Sequence, residues 1–148
     1  MDDTRPTLLV VDDTVANINL LLAALGKNYN VRVATSGAAA LTSVEKVEPD
    51  LILLDILMPG MDGFEVCRQL KSDPRYQDIP IIFISGLAED ADESRGLSLG
   101  AADYISRPFS LAIVKARVRN HLELKKHRDQ LSLLVAQRTH QLAEANNR

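Results

Sequence analysis

Short runs of unbroken apolar residues alternate along this chain with stretches whose apolar positions recur at helical spacing. Thr7–Val11 reads as a short buried strand, and Val15–Leu25 as a helix with one apolar face. Val31–Ala34 predicts a second strand and Gly37–Val47 a second helix, with Ser36 placed to accept an N-cap hydrogen bond. Leu51–Leu54 is apolar throughout and predicts a third strand. Pro59, Gly60 and Gly63 then punctuate a loop before a short helix over Phe64–Lys71. Ile79–Ile84 predicts a fourth strand, with Pro80 near its start, where a missing N–H is tolerable. Ala88–Leu99 predicts a fourth helix stopped by Gly100, Ala102–Ile105 a fifth strand, and about Ser110 onward a long last helix. Continuous apolar strands alternating with helices imply a doubly wound α/β domain with a parallel sheet covered on both faces. Right-handed crossovers leave only a few topologies for it.

The last helix is longer than such a domain needs. At about 1.5 Å per residue it reaches roughly 50 Å. Its first turns are expected to pack on the sheet, giving a domain over residues 1–122 and a helical, coiled-coil-like linker over 123–148. A heptad frame puts Val114, His121, Arg128, Val135 and Leu142 at one seam position, and Arg117, Leu124, Leu131, Arg138 and Ala145 at the other. The apolar members cluster in the C-terminal half, which points to pairing with a second copy; a frayed terminal helix is the alternative. The pattern stops without a cap at Asn147-Arg148, so a further domain is expected beyond it.

Composition narrows the class. Of the 148 residues, 46% are hydrophobic and only 4% aromatic, so the core must be built of Leu, Ile, Val and Ala. Residues 1–110 carry nine Lys and Arg against seventeen Asp and Glu, a net of −8; residues 111–148 carry eight against three, a net of +5. The basic charges are scattered through a helical pattern without interleaved aromatics. They read as a solvated helix face, so no direct nucleic-acid partner is expected. The single cysteine, Cys67, forbids an intrachain disulfide and fits a cytoplasmic setting. No apolar run approaches the roughly 20 residues that span a bilayer, and no membrane partner is expected.

Carboxylates stand directly after apolar strands. Asp12 and Asp13 follow the first, and Asp55 follows the third. In a parallel sheet the strand C-termini share one edge, where ligands bind. If the first and third strands are neighbours, the three carboxylates converge. Converging carboxylates repel unless they share a proton or a cation. An all-oxygen donor set favours a hard ion such as Mg2+, which also takes phosphoryl oxygens. Asp55 is then placed to act as a nucleophile that forms an acyl phosphate. Ser85, ending the fourth strand, offers a hydroxyl, and Arg107, after the fifth, a fixed positive charge. Each has a plainer reading: Asp12-Asp13 as a helix cap, Asp55 as a loop residue, Ser85 as part of a turn, Arg107 as a surface residue. Their joint placement at the ends of strands one, three, four and five argues for a site.

Four segments carry a resemblance: Leu-Leu-Val-Val-Asp-Asp (8–13), Asp-Leu-Ile-Leu-Leu-Asp-Ile-Leu-Met-Pro-Gly-Met-Asp-Gly (50–63), Ile-Pro-Ile-Ile-Phe-Ile-Ser (79–85) and Gly-Ala-Ala-Asp-Tyr-Ile-Ser-Arg-Pro-Phe (100–109). Over about residues 6–122 the chain resembles the receiver domains of bacterial response regulators. The resemblance implies a flavodoxin-like fold with strand order 2-1-3-4-5. It implies Asp55 as the acceptor of a phosphoryl group from a histidine kinase or phosphotransfer protein. It further implies Mg2+ on Asp13 and Asp55, with Asp12 acting largely through water and the Leu57 backbone carbonyl as another ligand. Ser85 matches the switch hydroxyl and Tyr104 the aromatic that follows it, though Tyr104 also reads as simple packing at the sheet edge. Position 107 departs from the family, which has lysine there; arginine keeps the charge but is longer and planar. A phosphate-independent binding module is therefore the alternative function. Residues 123–131 and 136–139 resemble linkers that precede cyclic-di-GMP enzymes or kinase modules. A phosphohydrolase of the haloacid dehalogenase type is disfavoured, because the residues two positions after Asp12 and Asp55 are Thr14 and Leu57 rather than a second aspartate. No glycine-rich phosphate loop follows the first strand.

Overall fold

The computed structural model describes residues 4–85, 90–106 and 110–146, with backbone alone at 90–91 and 139–146. Its elements are β1 (Thr7–Val11), α1 (Val15–Leu25), β2 (Asn30–Ala34), α2 (Gly37–Lys46), β3 (Leu51–Leu54), α3 (Gly63–Lys71), β4 (Ile81–Ser85), α4 (Asp90–Ser98), β5 (Asp103–Ser106) and α5 (Leu111–Asn146). The strands form one parallel sheet in the order β2-β1-β3-β4-β5. This is the doubly wound, flavodoxin-like arrangement expected from the sequence.

The unbroken apolar strands are needed because both faces are covered. Alternate residues of β1 feed two separate cores: Leu9 and Val11 join α2 and α3 through Ala40, Val44, Val66 and Leu70, whereas Leu8 and Val10 join α1 and α5 through Leu21, Leu25, Val114 and Val118. Cys67 is buried in the first core, and desolvation pushes its thiol up to about 11, so it is an inert packing residue. Ser36 caps α2 as expected, its hydroxyl accepting from Ala39 N at 3.1 Å.

Element ends differ from the sequence reading in ways backbone chemistry explains. Helix α3 begins at Gly63, because the Asp62 carboxylate accepts from Glu65 N at 2.9 Å and caps it. Strand β4 starts at Ile81: Ile79 N is taken by Tyr76 O in the preceding turn, and Pro80 has no N–H to give. Strand β5 is displaced by one residue, to Asp103–Ser106. The start expected for α4, at Ala88, lies outside the described residues.

Helix α5 has 36 residues, about 54 Å of helix. The body uses part of its expected seam. Val114 is fully buried, Arg117 and His121 both bind Asp103, and Arg128 Nη2 donates to Asp78 O at 2.7 Å. Among the seam positions of known exposure, Leu124, Leu131 and Val135 face solvent.

The Asp103 cluster fixes the phase of α5 on the domain. Burial pushes the Asp103 carboxyl up. Hydrogen bonds from Arg117 (2.6 and 2.7 Å), His121 (3.0 Å) and Tyr104 N (2.8 Å) outweigh burial and hold it below the usual carboxylate range. A carboxyl lowered by folding contributes stability above its unfolded value, about 3.9, and loses it as pH falls through the lowered folded value. Arg117→Ala is expected to cost about 1 kcal/mol at pH 7, since the guanidinium is partly exposed. The gap between variant and parent in urea unfolding should close as pH falls through the lowered Asp103 value.

Candidate functional site

Strand pairing alone brings the acidic residues together. Val11 lies opposite Leu54 across the β1–β3 ladder, so one step further sets Asp12 opposite Asp55. Asp55 N donates to Val11 O at 2.9 Å and Asp12 N to Ala34 O at 3.1 Å, which fixes both main chains at the sheet's C-terminal edge. One carboxylate oxygen from each of Asp12, Asp13 and Asp55 lies within 4.8 Å of the others. Asp12 and Asp55 are buried, at 2% and 5% exposure, and Asp13 is exposed. Asp12 also accepts from Thr14 N at 2.9 Å, closing a turn just before α1, whose N-cap is Thr14 and not Asp12 or Asp13.

This donor set fits a small hard cation. All three ligating groups are carboxylates, two of them are buried, and three negative charges in so small a space repel unless a cation or proton offsets them. Mg2+ commonly takes one or two carboxylates and keeps waters on its remaining positions, which a three-carboxylate cluster of this kind allows.

The remaining expected residues are placed as follows. Leu57 sits two residues beyond Asp55 in the loop after β3, its side chain exposed. Ser85 is fully buried at the end of β4, the strand beside β3. Tyr104, on β5, is 7% exposed; burial raises its hydroxyl, and a side-chain hydrogen bond with Ser85 opposes that rise. Tyr104 thus faces inward, in contact with the hydroxyl expected to respond to phosphate. Arg107 lies outside the described residues.

Sequence reasoning missed the role of Gly63. A Cβ there would stand 2.2 Å from Asp55 O and 2.9 Å from Ile56 Cα, so only glycine lets α3 close on the main chain that carries Asp55. Gly63 N in turn donates to Ile56 O at 2.9 Å. The sequence places Gly63 in a loop ahead of the expected helix, where glycine is common, so nothing there signalled the close approach.

Fold and pocket together define a doubly wound parallel α/β domain with an anionic, oxygen-lined centre at its strand ends. The comparisons agree with that class. The response regulator receiver domain model matches residues 8–119. A probable cyclic di-GMP phosphodiesterase of Vibrio cholerae is 41% identical over 128 residues, covering 86% of this chain and 29% of that protein. Response regulator PleD of Caulobacter vibrioides is 44% identical over 125 residues, covering 84% and 28%. The BeF3-activated N-terminal receiver domain of Klebsiella pneumoniae RstA superposes with a TM-score of 0.73 at 35% identity, covering 78% of this chain and 97% of that one. The chain spans less than a third of the length of the first two relatives. It belongs to the receiver domains of two-component response regulators. The family is a signalling family: its general role is a phosphorylation switch, its partners are histidine kinases, and its acidic aspartate cluster binds Mg2+. Among the described residues no helix is long and apolar enough to cross a membrane.

Proposed function

We propose that this chain is a phosphorylation-activated switch in which Asp55 accepts a phosphoryl group from the phosphohistidine of a histidine kinase or phosphotransfer protein. The observation that carries the reading is the meeting of Asp12, Asp13 and Asp55 within 4.8 Å at the ends of two paired strands. An Asp55 carboxylate oxygen attacks phosphorus, the P–N bond breaks, and the released imidazole takes a proton. Asp13 and Asp55, with the Leu57 carbonyl, are the groups to hold Mg2+, and Asp12 acts through water. Held there, Mg2+ would offset the carboxylate charge and screen the incoming phosphoryl oxygens. Ser85 then donates to the phosphoryl group, and its bond with Tyr104 supplies the route to the face formed by α4, β5 and α5. Arg107 supplies the positive charge for which the family uses lysine, and Arg107→Lys is expected to alter the conformational response.

The Vibrio relative's name and the helical linker both favour a cyclic-di-GMP enzyme as the responding module. Exposed Leu124, Leu131 and Val135 supply an apolar seam for pairing with a second copy of α5.

The test is incubation with acetyl phosphate and Mg2+, read by intact mass. The expected result is a gain of one phosphoryl group, lost on chelation of Mg2+ and absent in Asp55→Asn. No adduct on the parent chain would favour the phosphate-independent module.

A further inference from the structure

Helix α4 carries a glycine in its interior, at Gly96, where glycine costs roughly 0.5–1 kcal/mol relative to alanine. Gly96 is buried. A Cβ built there would lie 2.9 and 3.0 Å from Phe83 Cδ2 and Cε2, and 3.5 Å from Tyr104 Cδ2. The missing side chain therefore lets α4 rest directly on the ring pair beneath it.

That pair is buried and flanked by a third ring. Phe83 is fully buried two residues before Ser85 on β4, and it lies opposite Tyr104 across the β4–β5 ladder. Its ring stands 6.3 Å from the Tyr104 ring, and on the other side 5.4 Å edge-on from Phe64. Phe64 is covered in turn by the Arg95 guanidinium, 4.3 Å from its ring centroid. Helix α4 thus grips both ends of a three-ring row, with Arg95 over Phe64 and Gly96 over Phe83 and Tyr104. A methyl at Gly96 strikes the Phe83 ring, while its 3.5 Å approach to Tyr104 is ordinary contact; it has to move α4 outward or push the Phe83 ring against Tyr104.

We propose that Gly96 is a positioning residue of the switch, whose bare α-carbon sets how much of the population holds Tyr104 inward against Ser85. The inference rests on the proposed function for its meaning, but its test does not: Tyr104 is measured without any phosphodonor. Failure of Asp55 to accept phosphate leaves that measurement standing.

The experiment is nitration of the full chain by tetranitromethane, with the rate at each tyrosine read by peptide mass. Tyr29 and Tyr76 serve as internal references. In Gly96→Ala the rate at Tyr104, relative to those two, is expected to rise on the order of tenfold, as overpacking shifts the population outward. Adding Phe83→Leu, which removes the ring atoms the methyl would strike, is expected to restore the protection of Tyr104. An unchanged relative rate in Gly96→Ala overturns the proposal, as does an equal rise at all three tyrosines. Should Gly96→Ala fail to fold, the double variant decides: protected Tyr104 supports the proposal, and reactive Tyr104 overturns it.

Discussion

Gly63→Ala is expected to lose at least about 3 kcal/mol of stability and most phosphorylation at Asp55. The new methyl carbon would stand 2.2 Å from Asp55 O, where ordinary contact begins beyond 3 Å. The obstructing atom is main chain, pinned from both sides. Asp55 N is held by Val11 O, and Ile56 O accepts from Gly63 N itself. Relief requires α3 to lift from the end of β3 by more than 1 Å, breaking that bond and unseating Phe64, Val66 and Cys67 from the first core. Gly60, three residues earlier, is the control. It adopts φ +78° with nothing near its Cβ position, so Gly60→Ala should cost only the left-handed penalty, about 1 kcal/mol. Urea unfolding of the two variants checks the contrast. Equal, small losses would contradict the close-approach role of Gly63.

Mg2+ should stabilise the folded chain, and the stabilisation should vanish with any one of its carboxylates. An ion that binds only the folded state adds about 2.7 kcal/mol at one hundred times its dissociation constant. Without the ion, the Asp12 and Asp55 carboxyl groups are buried and crowd one another within 4.8 Å. Asp55→Asn is therefore expected to raise the metal-free melting temperature while abolishing the rise on adding Mg2+. Asp13→Asn, at the exposed mouth, should abolish the Mg2+ response with little gain in the metal-free state. Thermal melts with and without Mg2+ measure all three chains. A parent chain whose melting is indifferent to Mg2+ would contradict the cation reading.

Much of this was legible in the sequence, for a physical reason. A strand buried on both faces must be apolar throughout, so Leu8–Val11 and Leu51–Leu54 announce themselves, and the carboxylate after each marks the strand end. Parallel register then does the rest, setting Asp12 opposite Asp55. What periodicity cannot carry is the identity of the partner. Val114, Arg117, His121 and Arg128 fall on heptad positions, yet they contact the receiver body: a helix records which face is used, not by what. Glycines are equally silent. Gly60 serves a left-handed turn, Gly63 a backbone approach and Gly96 a ring pair, and one letter stands for all three.

The central claim is that the pocket built by Asp12, Asp13 and Asp55 directs phosphate to Asp55. Borohydride trapping after acetyl phosphate treatment tests it most directly, since reduction converts a phosphorylated aspartate to homoserine that tandem mass spectrometry can locate. Homoserine is expected at position 55 only, dependent on Mg2+. Trapping at Asp12, Asp13, Asp50 or Asp62, or trapping at Asp55 that persists under chelation, would contradict it.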